Sequence, residues 1–282
     1  MDFTAVLAQI KPKLGCIADN LKTIELEIVK ARGAGADLIV FPELALTGYF
    51  LKDLVPEVAL RIDSPEIMRL IELSRGISIA VGFVEETDDY HFFNSALYLE
   101  DGAIRHLHRK VYLPTYGLFD EQRYLARGES FRAFDTKLGR FGMLICEDMW
   151  HLSASYILAM DGATTVLCLS SSPSRGIEGD SLGSASAWQK LVSTTALFLN
   201  CRVLYCNRVG FEDGVNFWGG SEFVSPSGES VVRGKLLEED SVTAMVGEGA
   251  LRRERIFSPM IRDENLFVTM QELRRIACER GR

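Results

Sequence analysis

Leu138-Gly139-Arg140-Phe141-Gly142-Met143-Leu144-Ile145-Cys146-Glu147-Asp148-Met149-Trp150-His151 is the stretch that decides how this chain folds. Phe141 to Ile145 is a short continuous apolar run of buried-strand type, and it ends on a cysteine. Two acids and an indole follow immediately. A thiol at the C-terminal end of a buried strand, where the chain turns, stands where open α/β sheets present their reactive groups. Cys146 could equally be one more small core residue, because free cysteine is often buried. The remaining sequence decides between these two readings.

Composition narrows the classes first. The chain has 282 residues, 47% hydrophobic and 25% charged, enough for one large α/β domain. Its net charge of −8 argues against a nucleic-acid surface, which needs a basic footprint. Phe3 to Ala8 enters a strand with no basic segment and apolar core ahead of it, so a secretory signal is not expected. No uninterrupted apolar run is long enough to span a bilayer. The six cysteines, Cys16, Cys146, Cys168, Cys201, Cys206 and Cys278, form no CxxC pair. They read as reduced cytoplasmic thiols, and a zinc site is not expected.

Working outward, strands and helices alternate. Asp19 or Asn20 can cap a helix with Leu21, Ile24, Ile28 and Val29 on one face, ending near Gly33 and Gly35. Asp37 to Phe41 is a buried strand that stops at Pro42-Glu43-Leu44. Ser64-Pro65 opens a helix running to Gly76, and Ile77 to Val84 is the third strand. Asn94–Glu100 and Ala103–Leu107 form a hairpin through Asp101-Gly102. Arg109 to Ser130 has no periodicity but too many aromatics for disorder. Strands at Phe131–Phe134 and Phe141–Ile145 lead to Cys146 and a helix over Ser153–Met160. A strand at Thr164–Leu169 follows, then a helix over Ser186–Asn200 with Ser186 and Gln189 spaced as a capping box. A strand at Arg202–Asn207, a hairpin through Pro226-Ser227-Gly228 and a last helix near Val268–Cys278 complete the order. The two halves share one plan, so two mixed sheets stacked face to face with helices outside are expected, in a single domain over 1–282.

Three groups stand at strand ends: Glu43, Lys110 and Cys146. Glu43 alone could be a solvated loop acid, and Lys110 one of several basic residues in 105–110. Their local motifs lift them: Phe41-Pro42-Glu43-Leu44, Arg109-Lys110-Val111-Tyr112-Leu113-Pro114 and Leu144-Ile145-Cys146-Glu147-Asp148. In this order the three resemble the carbon–nitrogen hydrolase (nitrilase) superfamily over essentially the whole chain. The run Leu113 to Tyr124, Cys146 to Trp150, Asn207-Arg208-Val209-Gly210 and Gly219-Gly220-Ser221 look most like the glutamine-amidase domain of glutamine-dependent NAD synthetases.

The resemblance implies a four-layer α-β-β-α sandwich, hydrolysis of a small amide or carbamoyl compound, and homo-oligomers. The charged tail from about 251 to 282 is a candidate for the oligomer interface. By this resemblance, and by what amide cleavage needs, Cys146 is the nucleophile and Glu43 the base. Lys110 is the cation beside the oxyanion, with the Glu147 backbone N–H helping. Glu121 matches the family's second glutamate, which holds the lysine and substrate. Cys-Glu-Asp at 146–148 favours an amide over a nitrile. A papain-like dyad with His151 is disfavoured, since such motifs do not transfer between families. His91, His106 and His108 read as surface or satisfied core residues, and Cys168 and Cys206 as inert core thiols.

Tyr49, Tyr116 and Phe119 are candidate walls of the substrate site, with Glu147 beside them. Ser172 and Arg175 follow the strand after Cys146, where the resembling domain holds glutamine's amino-acid end, and Arg175 could grip a carboxylate bidentately. That domain carries Phe-His and a lysine after Ser-Pro, whereas here the residues are Ser174-Arg175-Gly176. These residues include no synthetase half with its phosphate-binding loop, so the alternatives are a free-standing amidase or a subunit feeding ammonia to a separate synthetase. A non-catalytic binding protein on the same fold is the rival from another class; all four catalytic positions being filled speaks against it.

Overall fold

The computed structural model describes residues 1–178 and 181–281. The chain begins β1 (Phe3–Gln9), α1 (Ile17–Gly33), β2 (Leu38–Val40), α2 (Val55–Val58), α3 (Pro65–Leu73), β3 (Ser78–Glu86), β4 (Phe92–Glu100) and β5 (Ala103–Arg109). It continues β6 (Phe134–Thr136), β7 (Gly139–Ile145), α4 (Leu152–Met160), β8 (Thr165–Ser170), β9 (Ile177–Glu178), β10 (Ser181–Leu182), α5 (Gly183–Leu199) and β11 (Arg202–Asn207). The last part is β12 (Val209–Glu212), β13 (Val215–Trp218), β14 (Glu222–Val224), β15 (Ser230–Arg233), β16 (Asp240–Val246), α6 (Glu248–Phe257), α7 (Met260–Asp263) and α8 (Leu266–Arg280).

Two six-stranded sheets result, ordered β16-β1-β2-β3-β4-β5 and β6-β7-β8-β11-β14-β15. In each, three central strands are parallel (β1, β2, β3 and β7, β8, β11), and the outer strands are antiparallel. Strand alternation then makes the layers. Ala5 and Leu7 of β1, Leu38 and Val40 of β2, and Tyr98 of β4 face the second sheet, where Phe141 lies 5.8 Å from Phe3 and 5.7 Å from Tyr98, centroid to centroid. Val6 and Ala8, one residue out of step, face Ile24 and Ile28 of α1 and Ile67 and Leu70 of α3. On the far side Leu158 of α4 closes over Gly142, and Val192 and Ala196 of α5 join the same core. This is the four-layer α-β-β-α sandwich.

The two-half plan holds, with one exchange. The sixth strand of the first sheet, β16, comes from the far end of the chain and pairs with β1 over Phe3↔Val246 to Gln9↔Asp240. Sequence patterning leaves it unassigned because its inward positions, Val242 and Ala244, are small and the outward Met245 is apolar. Other boundaries differ for local reasons. Asn20 does not cap α1; it is buried inside it and holds Lys13 and the Leu46 carbonyl. Val29 is exposed. Ser186 lies inside α5, which starts at Gly183 because the Gly183 and Ser184 amides find the carbonyls of Gly176 and Arg175. The strand expected at Phe131–Phe134 is β6, Phe134–Thr136. The β4–β5 turn is as expected: Asp101 and Gly102 both take positive φ, 52° and 76°, as a tight two-residue hairpin demands. Among the described residues no helix is long and apolar enough to cross a membrane.

Candidate functional site

Cys146 opens a 3₁₀ turn, Cys146–Trp150, directly after β7. Its φ is +46°, in the left-handed region that a side chain avoids. Such a conformation costs ~1–3 kcal/mol and persists only where neighbours over-determine it. Asp148 is the neighbour responsible. Fully buried, it accepts from the Ile145 amide at 3.1 Å, which pins the turn to the strand. It also accepts from the Val111 and Tyr112 amides, both at 3.0 Å, and lies 2.8 Å from His108 Nε2. One carboxylate thus locks the cysteine turn to the segment that follows Lys110.

Glu43 arrives from β2 through the turn Phe41-Pro42-Glu43-Leu44, with Leu44 at φ +50°. That turn rests directly on β3. A Cβ on Gly82 would stand 2.5 Å from the Leu44 nitrogen and 2.9 Å from the Pro42 oxygen. Gly82→Ala is therefore expected to destabilise the protein by ~1–3 kcal/mol as the turn is pushed off the strand. Denaturant unfolding reads this, and an unchanged midpoint would show that the turn is not seated there.

The carboxylate of Glu43 is 1% exposed and fully engaged. Its Oε1 accepts from Lys110 Nζ at 2.7 Å and Asn94 Nδ2 at 2.8 Å, and its Oε2 from the Ser171 amide at 2.8 Å. Lys110 is fully buried at the end of β5, and its Nζ also donates to Glu121 Oε1 at 2.7 Å. Glu121 sits in a 3₁₀ turn of the long aperiodic loop and accepts a further bond from the Tyr49 hydroxyl on the same oxygen. The end of β8 joins this chain to the thiol: the Ser170 hydroxyl lies 3.5 Å from Cys146 Sγ, and Ser171 holds Glu43.

These groups shift one another. Burial pushes the Cys146 thiol well up, and Glu43 pushes it further, against Lys110 and the bonds from Ser170 and Ser171. Burial would lower Lys110, but Glu121 and Glu43 outweigh it and hold the ammonium charged. Glu121 is raised to about 7, chiefly by burial, with Lys110 opposing and Glu43 adding. Glu121 therefore gains and loses its proton near neutral pH, beside an ammonium that stays charged.

A cavity of about 350 Å³ opens beside Cys146. Tyr116, Phe119, Glu147, Ser172 and Arg175 line it. Tyr49 does not; it faces a neighbouring hollow and spends its hydroxyl on Glu121. Arg175 stacks on Phe119 at 4.4 Å, and its Nη2 is buried with no hydrogen-bond partner among the described residues. Tyr116 Oη donates to Glu147 at 2.9 Å, and Ser172 Oγ accepts from Trp218 Nε1 at 3.2 Å. Trp150 and Trp188, edge to face at 5.3 Å, supply walls that sequence reasoning missed, as it missed Asp148. Trp150 is visible in the motif; Trp188 sits on α5, 38 residues further on, with nothing local to mark it. His151 stacks on Tyr112 at 3.5 Å instead of joining the cluster. Among the described residues no group of His, Cys, Asp and Glu is arranged to hold a metal.

The carbon–nitrogen hydrolase family model matches residues 4–253. A glutamine-dependent NAD(+) synthetase from Thermotoga maritima is 34% identical over 275 residues, covering 95% of this chain and 44% of its own. The N-carbamoylputrescine amidase of Solanum tuberosum is 27% identical, covering 85% of this chain and 84% of its own. Among solved structures, the glutamine-dependent NAD+ synthetase of Acinetobacter baumannii superposes with a TM-score of 0.80 at 30% identity, covering 89% of this chain and 47% of that one. The chain spans about half the length of the synthetase relatives it matches.

Proposed function

The chain belongs to the carbon–nitrogen hydrolase family, and we propose that it cleaves a small acid-bearing ω-amide, glutamine being the first to test, through a thioester on Cys146. The observation that carries this is the buried chain Glu43–Lys110–Glu121, joined to Cys146 through Ser170 and Ser171 at the edge of a cavity. In this mechanism Cys146 Sγ attacks the amide carbon while Glu43 takes the thiol proton. A thiol held protonated by its surroundings needs that base at the moment of attack, since only the thiolate is a good nucleophile. The oxyanion forms beside the Lys110 ammonium, with the Glu147 amide as second donor. Collapse of the tetrahedral adduct breaks the C–N bond, and Glu43 returns its proton to the departing ammonia. Glu43 then deprotonates a water that opens the thioester, giving the acid and the free thiol. Glu121 holds Lys110 and the substrate nitrogen in register.

Arg175 sets the substrate class. Its Nη2, without a hydrogen-bond partner among the described residues and on a guanidinium braced by Phe119, suits a carboxylate at the far end of the substrate. Glu147 suits an ammonium group. Arg175→Ala is expected to raise KM for glutamine by about 10–100-fold, the worth of one charge-assisted bond. Turnover of acetamide, which lacks the carboxylate, stays within about twofold because no such bond is lost. Steady-state ammonia release over glutamine, other ω-amides, N-carbamoyl compounds and short aliphatic amides decides the matter. Equal losses for glutamine and acetamide would exclude the carboxylate role, and silence across the panel would favour a binding protein on this fold. If the protein is an ammonia donor to a separate synthetase, its glutaminase turnover rises when the two are mixed.

A further inference from the structure

The β12–β13 hairpin carries no residue of the proposed reaction, yet it grips the site from two sides. Glu212, at the end of β12, is 6% exposed. Its Oε1 accepts from the Tyr49 and Phe50 amides, both at 2.8 Å, and its Oε2 from Arg208 Nη1 at 2.6 Å. Arg208 is fully buried, lies 4.2 Å over the Phe217 ring and donates to the Pro12 carbonyl at 3.2 Å. Residue 48 must be glycine for this approach: a Cβ there would come within 2.8 Å of both Glu212 Oε2 and Leu14 Cα. On the other side, the Ser174 amide donates to the Asn216 carbonyl at 2.7 Å, and Trp218 holds Ser172.

A buried ion pair is a poor way to gain stability, because desolvation costs several kcal/mol per ion. What this pair does achieve is position. We infer that Glu212, braced by Arg208, is a positioning residue that fixes the Tyr49 loop so that the Tyr49 hydroxyl donates to Glu121 Oε1 beside the Lys110 ammonium. This rests on the function proposed above. With both donors on Oε1, the proton that Glu121 takes up goes to Oε2, which is buried and unpartnered among the described residues. Burial and the nearby Glu121 and Glu43 hold the Tyr49 phenol protonated, so it keeps a proton to donate to the carboxylate.

The groups that bear on the titration of Glu121 are Lys110, Glu43 and Tyr49, with Cys146 next in the cluster. The Tyr49 bond lowers the Glu121 pKa, so weakening it moves that pKa upward. The kinetic limb belonging to Glu121 then moves to higher pH, whichever protonation state is productive. The experiment measures kcat/KM against pH, with glutamine and with acetamide, for the wild type, Tyr49→Phe, Glu212→Gln and the double variant. Carbamidomethylation of Cys146 by iodoacetamide against pH, read at the peptide, is a second readout that needs no substrate. Each single variant should lose about 10-fold in kcat/KM and shift the limb upward, the loss expected for one hydrogen bond to a charged group. The double should be no worse than the worse single, since both act through one contact. Loss in proportion to the unfolded fraction with an unmoved limb, or additive losses, would overturn the assignment. Should Glu212→Gln fail to fold, Glu212→Asp, which keeps the charge on a shorter arm, is expected to show the same upward shift. Turnover that survives Cys146→Ala would instead overturn the proposed function; a dead Cys146→Ala beside a wild-type-like Glu212→Gln would overturn only the role of Glu212.

Discussion

Replacing Cys146 with alanine is expected to lower kcat by about 10⁴–10⁶ while leaving the protein folded, since removing the proposed nucleophile disables every residue that acts with it. The structural cost is small for a stated reason. Cys146 Sγ is held only weakly, by the Ser170 hydroxyl at 3.5 Å and the Ser171 backbone, and is at the cavity edge, 9% exposed. Alanine keeps the same Cβ at φ +46°, so the strain of the turn is unchanged. Asp148 continues to hold the turn from both sides. Ammonia release and thermal unfolding measured on one preparation separate the two effects. Activity within tenfold of wild type would remove Cys146 from the reaction.

Lys110→Ala is expected to fail in both respects. The ammonium is the only cation paired to Glu43 and Glu121 among the described residues, at 2.7 Å from each. Removing it leaves buried carboxylates uncompensated, a destabilisation of ~3–5 kcal/mol. It also removes the proposed donor to the oxyanion, worth about 10²–10³ in rate. The pH dependence of stability gives this prediction its own signature. Glu121 is already raised to about 7 against the opposing pull of Lys110. Without the lysine its folded pKa rises further, above the unfolded value of about 4.3. The folded state then binds more protons than the unfolded one, so stability is retained below that unfolded value and lost as pH rises through the folded one. Denaturant unfolding of Lys110→Ala should therefore show a deficit against wild type that is smaller at pH 5 than at pH 8. A constant deficit across that range would mean that the carboxylates are not coupled as described.

What the sequence made legible follows a simple divide. The Phe141–Ile145 run announced a buried strand, and Pro42 a rigid stop after another, so the two strand ends carrying Cys146 and Glu43 could be read locally. The alternation of strand and helix was enough for two stacked sheets. Long-range contacts were not legible. Asp148 was in plain view in the motif, but its value lies in His108 and the amides of Val111 and Tyr112, some 36–40 residues back. The bonds from Tyr49 and Phe50 to Glu212 join residues more than 160 apart. An aromatic six residues after Glu43 suggests a wall of the substrate site, but the fold turns the Tyr49 hydroxyl to Glu121 instead. The start of α5 is not legible locally, because backbone bonds to Arg175 and Gly176, not the Ser186 side chain, satisfy its first amides.

In the proposed reaction the substrate's acyl group passes through a covalent bond to Cys146. Rapid quenching in acid during turnover of glutamine, followed by peptide-level mass measurement, reads it directly. A γ-glutamyl adduct on Cys146 is expected to appear within the first turnover, to disappear as substrate is exhausted, and to be absent from the other five cysteines and from Cys146→Ala. Steady ammonia release with an unmodified Cys146 at every quench time, and undiminished in Cys146→Ala, would contradict it.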